Sequence, residues 1–225
     1  MNKVIKIVVI CVENLYKIYK AEVETIAIQN LSFEVKTGEI CGVVGPSGSG
    51  KTTLLHCLAG ILQPTSGKIF FDQNNIIDYS IDELVIHRRD TVGLIYQDYN
   101  LLHDFKVKEN IALPMIIAGK KKDEINKRIH YLSSKLGVER YINTFPHRLS
   151  GGEQQRVGIA VALANNPDVI LADEPTGNLD RTNSDIVFDL LVDICKKEHK
   201  TLIIATHDIN LQKKLPKLIS LETGD

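Results

Sequence analysis

The 225-residue chain lacks long apolar runs, an excess of either charge, paired cysteines and internal repeats. Apolar stretches such as IVVICV, Ile7 to Val12, fall far short of the roughly 20 residues that span a bilayer. No transmembrane segment is expected, and that run reads as a strand. Lys3 and Lys6 precede it in the manner of a secretory signal, but Glu13 ends it and no small-residue cleavage site follows. A formal net charge of -1, with 24% charged residues, gives no electrostatic reason to expect a nucleic-acid partner. Any phosphate binding must therefore be local. Cys11, Cys41, Cys57 and Cys195 are scattered and form no CxxC pair, which argues against zinc and redox chemistry. They read as small buried apolar residues, and nothing demands an oxidising compartment. The basic run Gly119 to Lys122 reads as a solvated turn.

What is present is a chain that is 44% hydrophobic and long enough for one large domain, or a domain with a lobe. Residues 1–45 run as strands, with Thr37 to Glu39 as a turn before a buried strand, Ile40 to Val44. After GPSGSGKT, Gly45 to Thr52, a helix is expected with Leu54, Leu55, Leu58 and Ile61 on one face, closed by Pro64 to Gly67. A strand at Val92 to Gln97 leads into a mostly helical stretch that includes the amphipathic segment Lys120 to Leu136. From Asp168 the strand pattern returns as DVILADE. A helix over Asn183 to Lys197 and a strand over Thr201 to Asp208 follow. Short apolar strands alternating with helices imply an α/β fold whose mostly parallel sheet is covered on both faces. The core is expected at about 1–97 and 166–225, with a helical insertion at about 98–165.

GPSGSGKT matches the phosphate-loop pattern GxxxxGKS/T. In such a loop Gly45, Pro46, Ser47, Gly48, Ser49 and Gly50 let backbone N–H groups wrap the phosphates. Lys51 reaches the terminal phosphates and Thr52 ligates magnesium. A chance match in this length is on the order of one in a hundred. VILADE places Asp173 and Glu174 at the carboxyl end of a buried strand, where open parallel sheets bind ligands. Asp173 suits magnesium, and Glu174 suits the polarising of a water that attacks the γ-phosphate. Gln97 ends a strand, His207 follows the apolar LIIAT, and Tyr19 either stacks on a base or packs at a strand edge. A second anion-binding pattern, LSGGEQQR from Leu149 to Arg156, sets Ser150, Gly151 and Gly152 before a helical run. One nucleotide needs only one such loop.

In order, GPSGSGKT, Gln97, LSGGEQQR, VILADE, GNLD and His207 resemble the ATP-binding cassette (ABC) ATPases over essentially the whole chain. The resemblance implies a P-loop NTPase (RecA-like) fold as a single ABC ATPase domain over residues 1–225. Antiparallel strands lie at its N-terminus and an α-helical lobe is inserted. It implies ATP and Mg2+ held by Lys51, Thr52 and neighbouring loop amides through Thr53. Gln97 matches the Q-loop glutamine, Asp173 the metal-linked aspartate, Glu174 the catalytic glutamate and His207 the switch histidine. Tyr19 resembles the adenine-stacking aromatic, and Asp180 the D-loop aspartate at the subunit interface. Two cassettes of such proteins close head to tail, so that Ser150, Gly151 and Gly152 of one touch the γ-phosphate held by the other.

Lacking a span, the chain is expected to be peripheral on the cytoplasmic face of the membrane, driving a separate permease through its lobe, especially Asp98 to Asn110. NTFPHRLSGG in place of a TEVGERG-like stretch argues against exporters with fused membrane domains. DEPTGNLD, Asp173 to Asp180, resembles the lipoprotein-release, macrolide-efflux, antimicrobial-peptide-resistance and cell-division ATPases. Val161 stands where an arginine is usual, which alters packing or charge near the signature helix. A transport or mechanotransmission subunit and an ATP-dependent regulatory clamp both agree with these motifs. A soluble cassette on DNA or ribosomes is disfavoured, because such relatives carry two cassettes or a coiled-coil split, and a plain kinase is disfavoured by LSGGEQQR.

Overall fold

The computed structural model describes residues 10–20 and 24–221. Lys3, Lys6 and the first part of the strand expected at Ile7 to Val12, Ile7 to Val9, lie outside them. Strands β1 (Ile10–Tyr19) and β2 (Thr25–Val35) pair antiparallel. Alternation puts Ile10 and Val12 inside, and Asn14, at φ 46, takes up a register shift that returns Leu15 to the core. β3 (Ile40–Val44) leads through the glycine loop into helix α1 (Lys51–Leu58). Gly60, at φ 63, adopts the left-handed backbone that commonly follows a helix, so α1 ends before Ile61. Leu54, Leu55 and Leu58 are buried as expected. Ile61 is not on that helical face and stands 49% exposed.

β4 (Ser66–Phe71) and β5 (Asn74–Asn75) complete the antiparallel sheet, in the order β2-β1-β4-β5. Helix α2 (Ile81–Ile86) begins at a capping box in which Ser80 and Glu83 bond reciprocally. β6 (Val92–Ile95) precedes helices α3 (Val107–Ile117), α4 (Lys122–Lys135) and α5 (Gly151–Leu163). The chain then returns through β7 (Val169–Asp173), α6 (Arg181–Lys197), β8 (Thr201–Ala205), α7 (Ile209–Gln212) and β9 (Leu218–Ser220).

The second sheet is parallel, in the order β6-β7-β8-β3-β9. Period-two alternation divides its side chains between two cores. Leu171 and Ile203 join Leu15, Leu54, Leu55 and Leu58 on the face covered by α1 and the antiparallel sheet. Ile170, Ala172, Leu202 and Ile204 face Met115, Ile159, Leu163, Phe188 and Leu191 of the helices. Helices α3 and α5 thus share a continuous apolar core with the sheet. Two strands stop earlier than their apolar runs suggest: β6 ends two residues before Gln97, and β8 two before His207. Both side chains therefore stand on loops at the carboxyl edge of the sheet. Three of the four cysteines are buried, with Cys11 half-buried, and none is in a disulfide.

Candidate nucleotide site

The glycine loop owes its shape to close packing against β2. Gly50 has φ 87, and a Cβ there would lie 2.0 Å from the Ala27 carbonyl oxygen. Only glycine meets both conditions. The next residue, Lys51, opens α1 with a side chain folded into the loop. Its Nζ donates to the Gly45 carbonyl at 3.0 Å and to that of Pro46 at 2.8 Å. No side chain caps this helix N-terminus and no acid sits in its first turn. Its free N–H groups and the positive end of the helix dipole are therefore open to an anion.

Two neighbouring strands bring the acids and the histidine to the same edge. β7 ends at Asp173, whose buried Oδ1 has no hydrogen-bond partner. Glu174 turns sharply, at φ 43, while its N–H still bonds the Ala205 carbonyl at 3.0 Å. That turn sends its side chain towards β8, where Glu174 Oε1 lies 2.7 Å from His207 Nδ1 and accepts the His207 N–H at 3.1 Å. The carboxylate is mostly enclosed, its side chain 14% exposed, while the imidazole is 67% exposed. The carboxylate is thus shielded and the imidazole is open to a ligand.

A cleft of about 610 Å³ gathers Tyr19, Ser47, Gly48, the residues from Gly50 through Thr53, Gln97, Glu174 and His207, while Gly45, Pro46, Ser49 and Asp173 do not line it. Tyr19, at the end of β1, is held by its hydroxyl 3.3 Å from Thr53 Oγ1 and carries the Lys17 ammonium over its ring. Gln97 Nε2 donates to Asn178 Oδ1 at 3.2 Å. Ser150, Gly151, Gly152 and Asp180 do not line this cleft.

Those residues form a second focus. The glycines of LSGGEQQR are the first turn of α5 itself, and Ser150 is its N-cap. The Ser150 N–H donates to Glu153 Oε2 at 2.9 Å; Glu153 also accepts from the Tyr141 hydroxyl and lies 3.6 Å from Arg140. Burial opposes ionisation of Glu153, but these bonds outweigh it and hold its carboxyl below the usual range. A Cβ on Gly151 would stand 2.8 Å from the Tyr99 hydroxyl, and one on Gly152 would stand 3.0 Å from Asn183 Oδ1. Asp180 caps α6, accepting from the Asn183 N–H at 3.0 Å and from Asn183 Nδ2 at 2.6 Å. The Asn183 bonds, side-chain first, lower its carboxyl pKa. Val161 packs, partly buried, against the helical core. Sequence patterns did not single out Tyr99, Glu153 or Asn178, although Glu153 lies inside LSGGEQQR, Asn178 inside GNLD and Tyr99 in the stretch Asp98 to Asn110.

A buried parallel strand that delivers a glycine loop around a lysine, with two acids at the end of another strand of the same sheet, one strand removed, defines a phosphate-loop nucleotide-binding protein. The ABC transporter family model matches residues 28–177. The lipoprotein-releasing system ATP-binding protein LolD of Buchnera aphidicola (subspecies Acyrthosiphon pisum, strain APS) is 42% identical over 97% of this chain and 96% of its own. Its counterpart from the Schizaphis graminum subspecies is 38% identical over 97% and 95%. Among solved structures, the ATP-binding cassette MJ0796, a dimer in a post-hydrolysis state bound to ADP and Pi, superposes with a TM-score of 0.86. It is 37% identical, with 95% of this chain and 94% of that one covered. cbiO1 from Clostridium perfringens, part of the transporter complex cbiONQ, gives 0.82 at 34% identity, covering 92% and 81%. The chain belongs to the ABC transporter family. It is an ATP-binding cassette that hydrolyses ATP.

Proposed function

We propose that this cassette closes head to tail on a second copy around two ATP and drives a separate membrane subunit that extracts or exports lipoproteins. The observation that carries the reading is the separation of the two anion-binding loops. Lys51 lies in one cleft, and Ser150, Gly151 and Gly152 lie outside it. A second loop that does not face its own chain's nucleotide is available to a neighbour's.

In this reading Tyr19 receives the adenine on its exposed face, and the loop amides with Lys51 hold the phosphates. Glu174 accepts a proton from the attacking water, and His207, bonded to it, holds that carboxylate in place and faces the γ-phosphate. Thr52, Asp173 and Gln97 fit Mg2+: all offer oxygen, and the orphaned Asp173 Oδ1 needs a partner. Among the described residues no cluster of His, Cys, Asp and Glu could hold a metal alone, which suits an ion that keeps phosphate and water ligands. Bound there, Mg2+ neutralises charge on the β- and γ-phosphates.

ATP bridges two surfaces and ADP with its phosphate released does not, so hydrolysis followed by phosphate release removes the contact that favours closure. Among the described residues no helix is long and apolar enough to cross a membrane. The motion is therefore passed to a membrane partner, and we assign that contact to the helical lobe at 98–165, placing the cassette on the cytoplasmic face. The lipoprotein assignment rests on the LolD relatives, which match nearly the full chain. A regulatory clamp on a cell-division or peptide-sensing complex is the second reading that DEPTGNLD supports.

Mixing Lys51→Ala chains with Ser150→Arg chains tests the shared site, since each mixed dimer keeps one intact composite site. ATPase activity recovered above that of either variant alone supports it; no recovery in the presence of the membrane partner overturns it. Co-purification from membranes then separates the two readings. ATP-dependent release of lipoprotein from membranes carrying the captured complex supports the first.

A further inference from the structure

Asn178, in the turn between β7 and α6, bonds the loop after β6 through three contacts. Its Nδ2 donates to the Gln97 backbone carbonyl at 3.2 Å and to Asp98 Oδ1 at 2.9 Å, and its Oδ1 accepts from Gln97 Nε2 at 3.2 Å. The two ends of an amide differ only in what they can bond. A backbone carbonyl and a carboxylate only accept, so Asn178 must turn its NH2 to both. Its oxygen then faces Gln97, which must answer with its own NH2. Gln97 Oε1, the one atom of that side chain able to ligate a hard cation, is left uncommitted to Asn178. Gly177 gives the amide room, for a Cβ there would stand 3.0 Å from Gln97 Nε2 and 3.2 Å from its Cδ.

We propose that Asn178 is a positioning residue for Gln97, selecting the amide orientation that leaves Oε1 for the metal and tying the Gln97 loop to the turn that carries Asp180. The proposal rests on the metal role assigned to Gln97 above. An exposed glutamine without this partner turns its amide over freely, and in half of its orientations it offers an NH2 that repels a cation. Asn178 removes that choice because its own orientation is set by two obligate acceptors. Partners that orient a metal ligand typically change metal affinity or activity by about 10–100-fold when removed.

The test measures the affinity of the fluorescent N-methylanthraniloyl derivative of ATP in Mg2+ and in EDTA, so that the ratio reads the metal's contribution independently of turnover. Asn178→Ala is expected to lower that ratio about tenfold and to have no further effect in a Gln97→Ala background. Asn178→Asp turns oxygens on the Gln97 carbonyl and the Asp98 carboxylate, which repel it from the place where it meets Gln97 Nε2, and it is therefore expected to behave like the alanine variant. It serves as the measurement if Asn178→Ala melts early. An unchanged ratio in Asn178 variants, with a lowered one in Gln97→Ala, overturns the positioning role alone. A further loss from Asn178→Ala in the Gln97→Ala background also overturns it, since Asn178 would then act on the fold. If Gln97→Ala itself leaves the ratio unchanged, the metal role of Gln97 falls and this proposal with it.

Discussion

Glu174 Oε1 and His207 Nδ1 lie 2.7 Å apart, joining the ends of two strands that are neighbours in the sheet and far apart in the chain. The His207 backbone N–H adds a second bond to the same oxygen at 3.1 Å. A glutamine at 174 keeps the acceptor but is no base. Glu174→Gln is therefore expected to bind ATP as the parent does, to slow hydrolysis about 10²–10⁴-fold, and to accumulate an ATP-bound dimer. Single-turnover kinetics and size exclusion with ATP check this; unchanged turnover with a monomer throughout would remove Glu174 from its role.

Gly50 couples folding to nucleotide binding. Alanine at this position meets a left-handed backbone and a carbonyl oxygen 2.0 Å from its Cβ, so the loop must open away from β2. Gly50→Ala is expected to lose about 1–3 kcal/mol or more, to lower Tm by several degrees and to abolish stabilisation by ATP. Thermal melting with and without ATP reads both effects together.

Glu153 gives the start of the signature helix a pH dependence. Its folded carboxyl titrates below the unfolded value of 4.5, so the ionised form is favoured by folding. That contribution is fully present above pH 4.5 and is lost as pH falls through the lower folded value. Glu153→Gln is expected to cost about 1 kcal/mol at neutral pH, and the gap in Tm from the parent should close below pH 4.5. A gap that stays constant down to pH 3 on the same melting series would refute the assignment.

Thiol chemistry separates the cysteines. Burial pushes Cys41, Cys57 and Cys195 up to about 12, and Cys11, raised less, is the one of the four that is half-buried. Iodoacetamide at pH 8 is expected to label Cys11 slowly in the native protein and all four only in denaturant, as read by mass spectrometry. Rapid native labelling of Cys57 would place α1 elsewhere than against the antiparallel sheet.

Ile40 to Val44, the glycine loop and VILADE were legible because each is a local pattern: an apolar run buried on both faces, a left-handed glycine, an acid at a strand end. Ile61 continues the apolar period of the helix but not the helix itself, because Gly60 turns the backbone aside. The short strands Ser66–Phe71 and Leu218–Ser220 have no local signature, since their pairing depends on β1 and β3, distant in sequence. The apolar runs before Gln97 and His207 predict strand through both residues, but both stand on loops beyond the last ladder residue.

By itself the sequence determined the chemistry available: which residues can hold phosphate, offer oxygen to a cation or take a proton, and in which order they come. Only the tertiary structure decided which of them meet. The sheet order β6-β7-β8-β3-β9 sets Gln97, Glu174, His207 and the glycine loop at one edge and leaves Ser150 to Gly152 outside the cleft they form. That choice comes from burying two apolar faces of one sheet at once, a condition that no local stretch of sequence contains.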